Sequence, residues 1–353
     1  MSSSVRAPET IPHQSGETSH WAGEFANAAR IRLLVGLIEQ QLSGDWSPDA
    51  TQLDQICRYA VLPGHKLFRP MLLLESAGAV GGDLSQVLPA AAGAEAGHVA
   101  SLIHDDIIDG DLVRRGRPAV HAAYGLNDAI IAGDMLIFYL FASLGACGPR
   151  GVAPARVADA MAVVAAAGLD LCRGQSMEAI LCDSFTCDVA AYITMIRLKT
   201  SALFQACCRS GAILAGGTPA QVDALGTYGD MLGVGFQIVD DLLAYTSDSA
   251  AMGKAATSDI SNRRLTLPFL LARELGGPSV AEKLDAALLD DGDAEQRLDF
   301  IASTIRDVGA LDTAAEMAAS HAEQACDALE TLPDTPSRAS LRIFVEAAVN
   351  RCA

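Results

Sequence analysis

Apolar positions recur every three to four residues along nearly the whole chain, the mark of helices that each bury one stripe. From Trp21 to Leu42 the stripe is Phe25, Ile31, Leu34, Leu37, Ile38 and Leu42. Pro70 is placed to open a helix through Met71–Val80, which Gly81 and Gly82 stop. Asn127 and Asp188 have the side chains of N-caps for the long helices after them, and Pro219 opens another that runs through Val239. The sequence has no useful alternating stretch for a strand and no repeat at a solenoid period. Helices of about 20–30 residues would span roughly 30–45 Å at about 1.5 Å per residue. The pattern predicts an all-α fold, a single large bundle of long helices around a deep central cavity, over residues 21–353. Residues 1–20 are polar and rich in Ser and Pro; they read as a disordered tail without the apolar core of a signal peptide.

Composition sharpens this picture. The 353 residues are 50% hydrophobic and 5% aromatic, enough for a core without disulfides and favouring helix over strand. A net charge of −18 excludes nucleic acid and anionic membrane surfaces as principal partners. The nine cysteines lack zinc-type spacing and sit mostly in apolar helical runs, as buried reduced thiols of a cytoplasmic protein do. The apolar segment Ala129–Cys147 carries Asp134 in its interior and lacks a basic flank, so it reads as a core or subunit-interface helix, with no membrane span.

The chemistry concentrates in a few charged segments. In SLIHDDIIDGDLVRRGRP, Asp105, Asp106 and Asp109 follow an apolar run. At about 100° per residue Asp105 and Asp109 point the same way, one turn apart. Packed carboxylates repel unless a cation neutralises them, and hard oxygen ligands with room for water and phosphate suit Mg²⁺. Arg114, Arg115 and Arg117 follow at once, ready to take phosphate oxygens bidentately. A second cluster, Gln237, Asp240 and Asp241, ends the helix that Pro219 opens. Lys199 and Thr200 interrupt another helix, Lys254, Arg263 and Arg264 lie beyond the second cluster, and Lys66 and Arg69 stand just before a helix start, a position that favours anions. These segments hold nine of the 25 basic residues, which points to two phosphate sites.

On these residues and spacings, from about residue 20 to 350, the chain resembles the trans-isoprenyl diphosphate synthases, or polyprenyl synthetases. The resemblance implies the isoprenoid synthase type of bundle, usually a homodimer, and about three Mg²⁺ ions between two aspartate-rich motifs. It implies that Asp105, Asp106, Asp109, Asp240 and Asp241 hold metal. Lys199, Thr200, Gln237, Lys254 and Arg114 would surround the allylic diphosphate, and Lys66, Arg69, His98 and Arg115 the isopentenyl diphosphate. Arg264 stands where the family usually has a lysine before Thr266-Leu267-Pro268. His98 also projects within about 20° of Asp105 and Asp109, roughly 10 Å down the same wall.

Two positions depart from the family pattern. Ala244 replaces the third aspartate of the second motif, and Leu67 removes one cation from the Gly64–Lys66 loop. The implied reaction is Mg²⁺-dependent ionisation of the allylic diphosphate and its extension by isopentenyl diphosphate, with Asp105, Asp106, Lys199, Asp240 and Lys254 as its catalytic groups. The small Ala100 and Ser101 below Asp105, with Phe138 on the next helix as a floor, point to a twenty-carbon product, geranylgeranyl diphosphate. The alternatives are a class I terpene cyclase, which needs no isopentenyl diphosphate, and a non-catalytic subunit, which would be expected to lose first-motif aspartates.

Overall fold

The computed structural model describes residues 17–47, 50–62, 67–184, 186–246, 263–290 and 292–349. Three helices lead in: α1 (Glu17–Asp45), α2 (Gln52–Val61) and α3 (Phe68–Ala79). Next comes α4 (Leu84–Asp109), then a hairpin of β1 (Val113–Arg114) and β2 (Arg117–Pro118). The short α5 (Val120–Tyr124) precedes α6 (Leu126–Gly145) and α7 (Pro154–Ser184). Helix α8 (Val189–Ile196) runs through a π turn at Arg197–Ser201 into α9 (Ala202–Ala215), followed by α10 (Pro219–Thr246). The remaining helices are α11 (Leu267–Leu289), α12 (Ala294–Asp307), α13 (Ala310–Ala328) and α14 (Pro336–Val349).

Helix α4 packs between α3 and α6, and α9 between α3, α7 and α10, so the two acid-bearing helices α4 and α10 flank a common centre. The largest core cluster holds Ile38, Leu42, Leu72, Leu74, Phe204, Leu214 and Tyr228; a second, around Ile238, Phe269, Ile301 and Ile305, carries the C-terminal ends of α10 and α8. A third holds Trp46, Ile56, Ala100, Ala132 and Leu136 between α2, α4 and α6. Fully burying such a Leu or Ile side chain contributes about 1.5–3 kcal/mol.

Local signals explain most boundaries. Asp188 caps α8 by accepting from the Ala191 amide at 2.7 Å, as its side chain predicts. Pro219 is the first residue of α10, behind a reciprocal cap in which Thr218 and Gln221 satisfy each other's amides. Helix α3 starts at Phe68, two residues before Pro70, and ends at Ala79; Pro70 sits in the first turn, where its missing N–H costs nothing. Asn127 is not a cap: α6 starts one residue earlier, with Gly125 at its N-cap.

Of the stripe on α1, Leu34, Ile38 and Leu42 are buried at four-residue spacing, which leaves Leu37 37% exposed; the side chains of Trp21 and Phe25 lie outside the description. The tail expected over 1–20 is shorter in its described part, since α1 begins at Glu17, and residues 1–16 lie outside the described residues. The hairpin is a small departure from the all-helical pattern, and Cys172, Cys182 and Cys326 are not fully buried. Helix α6 is long and apolar enough to cross a membrane by length and composition, yet one of its faces packs along α4, where Leu140 closes on Gly97.

The first and last helices meet on a buried charge. Glu75 of α3, with no exposure, accepts from Arg30 of α1 at 2.9 and 3.1 Å, and the same guanidinium donates to Ser337 of α14 at 2.8 Å. Removing one partner of such a pair leaves a buried ion unmatched. Arg30→Ala should therefore lower unfolding free energy by about 3 kcal/mol in chemical denaturation, and Arg30→Ala with Glu75→Gln should recover part of that loss.

Candidate active site

The C-terminal turn of α4, the π turn, α7 and the segment entering α11 converge around Asp105. This carboxylate is half-buried and shares a helix face with Asp109. Burial lifts its pKa above the ordinary range; the Lys199 cation opposes this, and the Asp109 and Glu178 charges add to it. Asp109 is engaged by the Arg264 guanidinium, and Lys199 Nζ lies 2.5 Å from Glu178 Oε2. Glu178 had no place in the sequence reading. A single glutamate in an apolar helix carries little signal, although its position three residues after Gln175 and four after Gly174 puts it on the face turned to the π turn.

Adjacent aspartates take different roles. Asp106 is 3% exposed and bound by Arg114, whose Nε donates at 2.7 Å; Asp111 stands 3.7 Å from the same guanidinium. Burial still holds the Asp106 pKa above normal, with Arg114 opposing. Asp241 is likewise buried: it accepts from the Tyr192 hydroxyl at 2.5 Å, the Leu267 amide at 2.9 Å and Gln237 Nε2 at 3.1 Å. Burial, then the Asp241 charge, pushes the Tyr192 phenol well above its usual value, so it stays a donor. Asp106 and Asp241, both expected as metal ligands, are buried and hydrogen-bonded, while Asp105 and Asp109 share the half-buried face and Asp240 is exposed. Successive residues on a helix point about 100° apart, so the two members of each Asp-Asp pair meet different surroundings.

The basic groups divide in the same way. Arg114 pairs with Asp106, and Arg117 lies over the Tyr59 ring at 3.9 Å, a contact that pins the hairpin to α2. Arg115 and Gly116 form its tip, both at positive φ (52° and 72°), as a two-residue hairpin turn demands. That leaves the exposed Arg115 in a strained conformation beside the site. Arg69 lies over the Phe204 ring at 4.6 Å, among the charges of Glu95, Asp240 and Arg115, and burial lowers its pKa. Half-buried His98 lies two turns below Asp105 on α4, and its carbonyl accepts from Ser101 at 2.8 Å. Thr200 donates to Gln237 Oε1 at 2.8 Å. Lys66 and Lys254 lie outside the described residues.

Ala244 packs against the second core cluster, so the missing third aspartate leaves no gap at the site. Ser101 stands one turn below Asp105, whereas Ala100 is buried against the α6 side with Ala132 and Leu136. The floor expected at Phe138 is overturned: this ring is 74% exposed. Leu136 and Leu140 turn inward on α6, and a residue two positions from each points about 200° away. Tyr139 is taken by Trp46, with ring centroids 4.9 Å apart.

Among the described residues no three carboxylate, imidazole or thiol side chains sit close enough to enclose an ion unaided. Mg²⁺ does not require that, since it binds through one or two carboxylates plus water and phosphate oxygens. The Asp105–Asp109 face, with its carboxyl lifted by burial and like charge, fits such an ion.

Long helices carrying two acidic ends, with lysine and arginine held on carboxylates between them, form the isoprenoid synthase architecture. Solved structures with this fold include a geranylgeranyl pyrophosphate synthetase from Pyrococcus horikoshii, at 31% identity and TM-score 0.84, covering 93% of this chain and 99% of the other. A polyprenyl synthase from Caulobacter crescentus complexed with calcium and isoprenyl diphosphate matches at 29% and TM-score 0.81, covering 97% and 100%. A short chain isoprenyl diphosphate synthase of Methanothermobacter thermautotrophicus is 36% identical over 83% of this chain and 88% of its own. Other similar proteins are named as geranylgeranyl, geranylfarnesyl and octaprenyl diphosphate synthases. The polyprenyl synthetase family pattern matches residues 50–305, and the chain belongs to that family, a trans-prenyltransferase.

Asp105 carries an electrostatic cost in the folded state. Because its folded pKa is raised, stability grows as pH falls towards protonation, and a neutral isostere removes the penalty at pH 7. Asp105→Asn should raise the metal-free Tm on the order of 2 °C in a thermal scan while turnover falls by roughly a hundredfold or more.

Proposed function

We propose that this chain joins isopentenyl diphosphate to an allylic diphosphate and releases a prenyl diphosphate five carbons longer, with geranylgeranyl diphosphate as the product. The observation that carries this reading is the convergence of Asp105, Asp109, Lys199, Glu178 and Arg264 at one end of α4. Asp105, Asp109 and Asp240 are the carboxylates we assign to Mg²⁺, about three ions in all. Bound there, Mg²⁺ would neutralise charge gathering on the departing diphosphate. Lys199, Thr200 and Gln237, with Arg264 and Lys254, hold the allylic diphosphate; Arg69, Arg115, His98 and Lys66 hold the isopentenyl one. The surrounding apolar core excludes water from the reacting carbons.

The outward faces of α6 and α7 support a homodimer. Ile131 and Phe138 on α6 are 51% and 74% exposed, and Leu169 and Ile180 on α7 are 58% and 62% exposed. Apolar faces of this kind bury against another copy. We assign the enzyme to the cytoplasm, where its thiols stay reduced.

Purified protein with Mg²⁺, isopentenyl diphosphate and five-, ten- or fifteen-carbon allylic diphosphates should yield prenyl alcohols after dephosphorylation, sized by mass spectrometry. Chelation should abolish turnover and added Mg²⁺ restore it. A cyclic hydrocarbon formed without isopentenyl diphosphate would overturn the proposal. Ser101→Phe should shorten the products, whereas Phe138→Ala should leave their length unchanged. Ile131→Glu with Leu169→Glu should shift the particle from dimer to monomer in light scattering.

A further inference from the structure

The turn that presents Lys199 and Thr200 is not an ordinary helical one. Between Arg197 and Ser201 the chain adopts a π turn, closed by the Ala202 amide on the Arg197 carbonyl. Such a bulge is less favourable than α-helix and persists where its surroundings hold it. It also changes what the segment faces, since one residue of register rotates a helix by about 100°. In this register Lys199 reaches Glu178 on α7 and Thr200 reaches Gln237 on α10.

Three features hold the bulge. A Cβ at Gly174 of α7 would lie 2.4 Å from the Lys199 amide nitrogen, and one at Gly233 of α10 would lie 2.6 Å from Ser201 Cα, so the widened backbone fills two notches. Ser201 is fully buried, and its hydroxyl donates to Asp230, 2.6 Å from Oδ1 and 2.9 Å from the carbonyl oxygen. Arg197, at the other end of the turn, stands 3.7 Å from Asp230 Oδ2. One carboxylate on α10 therefore engages both the first and the last residue of the π turn. The hydroxyl of Ser201 is buried, and both of its bonds are to Asp230.

We propose that Ser201 and Asp230 are positioning residues for the prenyl transfer reaction: they lock the π turn so that Lys199 and Thr200 are aimed at the allylic diphosphate. Neither touches substrate. The inference rests on the reading of Lys199 and Thr200 as allylic-diphosphate groups, and Lys199→Ala tests that reading separately.

Steady-state kinetics on the full chain, varying each substrate in turn, distinguishes positioning from simple support of the fold. Ser201→Ala and Asp230→Ala should each lower kcat/KM for the allylic diphosphate by about tenfold or more, with KM for isopentenyl diphosphate within about twofold of the parent. Asp230→Asn keeps an acceptor oxygen for Ser201 and should retain activity within about threefold. The double variant Ser201→Ala with Asp230→Ala should cost less than the sum of the two single changes, because both remove the bond between the Ser201 hydroxyl and the Asp230 carboxylate. Should Ser201→Ala fold poorly, the contrast between Asp230→Asn and Asp230→Ala carries the test. Near-parent kinetics in Ser201→Ala and Asp230→Ala, with Lys199→Ala impaired, would sink the positioning role and spare the site. Near-parent kinetics in Lys199→Ala would sink both, and equal losses for the two substrates would reduce the contact to a general support of the fold.

Discussion

Two acidic helix ends held close to one another must be neutralised, and a four-residue segment ties them together. Arg264 engages Asp109 at the end of α4, and three residues later the Leu267 amide donates to Asp241 at the end of α10. Tyr192 and Gln237 complete the hold on Asp241, and Arg114 does the same for Asp106. Each Asp-Asp pair thereby spends one carboxylate on structure, which fixes where its neighbour stands. Charge balance and site geometry are in this sense one constraint: the groups that keep the acidic ends from repelling also orient the groups that face the ligand.

Ala244 stands four residues after Asp240 on α10, on the same side of the helix, and packs in part against the second core cluster. Glu178 places a further carboxylate on α7, next to Lys199 and within reach of the Asp105 charge. The proposed site is thus drawn from several helices and one connecting segment.

The helices, the caps at Asp188 and Pro219, both acidic clusters and the interruption at Lys199-Thr200 were legible because each leaves a local mark: periodicity, a capping side chain, charge after an apolar run. What could not be read was rotation. Whether Asp105 or Asp106 faces inward, and whether Phe138 or Leu140 closes on α4, depends on about 100° per residue and on the neighbour that each face meets. Arg117 is a related case: its place in an arginine run gave no sign that the Tyr59 ring of α2 lies beneath it. Glu178 escaped notice because a lone glutamate acquires meaning only when the π turn brings Lys199 to it.

The contact between Arg30, Glu75 and Ser337 has a consequence for how the chain comes to be folded. Arg30 and Ser337 are 307 residues apart, so their bond closes a loop nearly as long as the chain. Contacts of such separation form late, after shorter-range packing has offset the entropy of closure. During synthesis, the guanidinium on Glu75 waits for α14 to be made, so this buried charge gains its third member only at that stage.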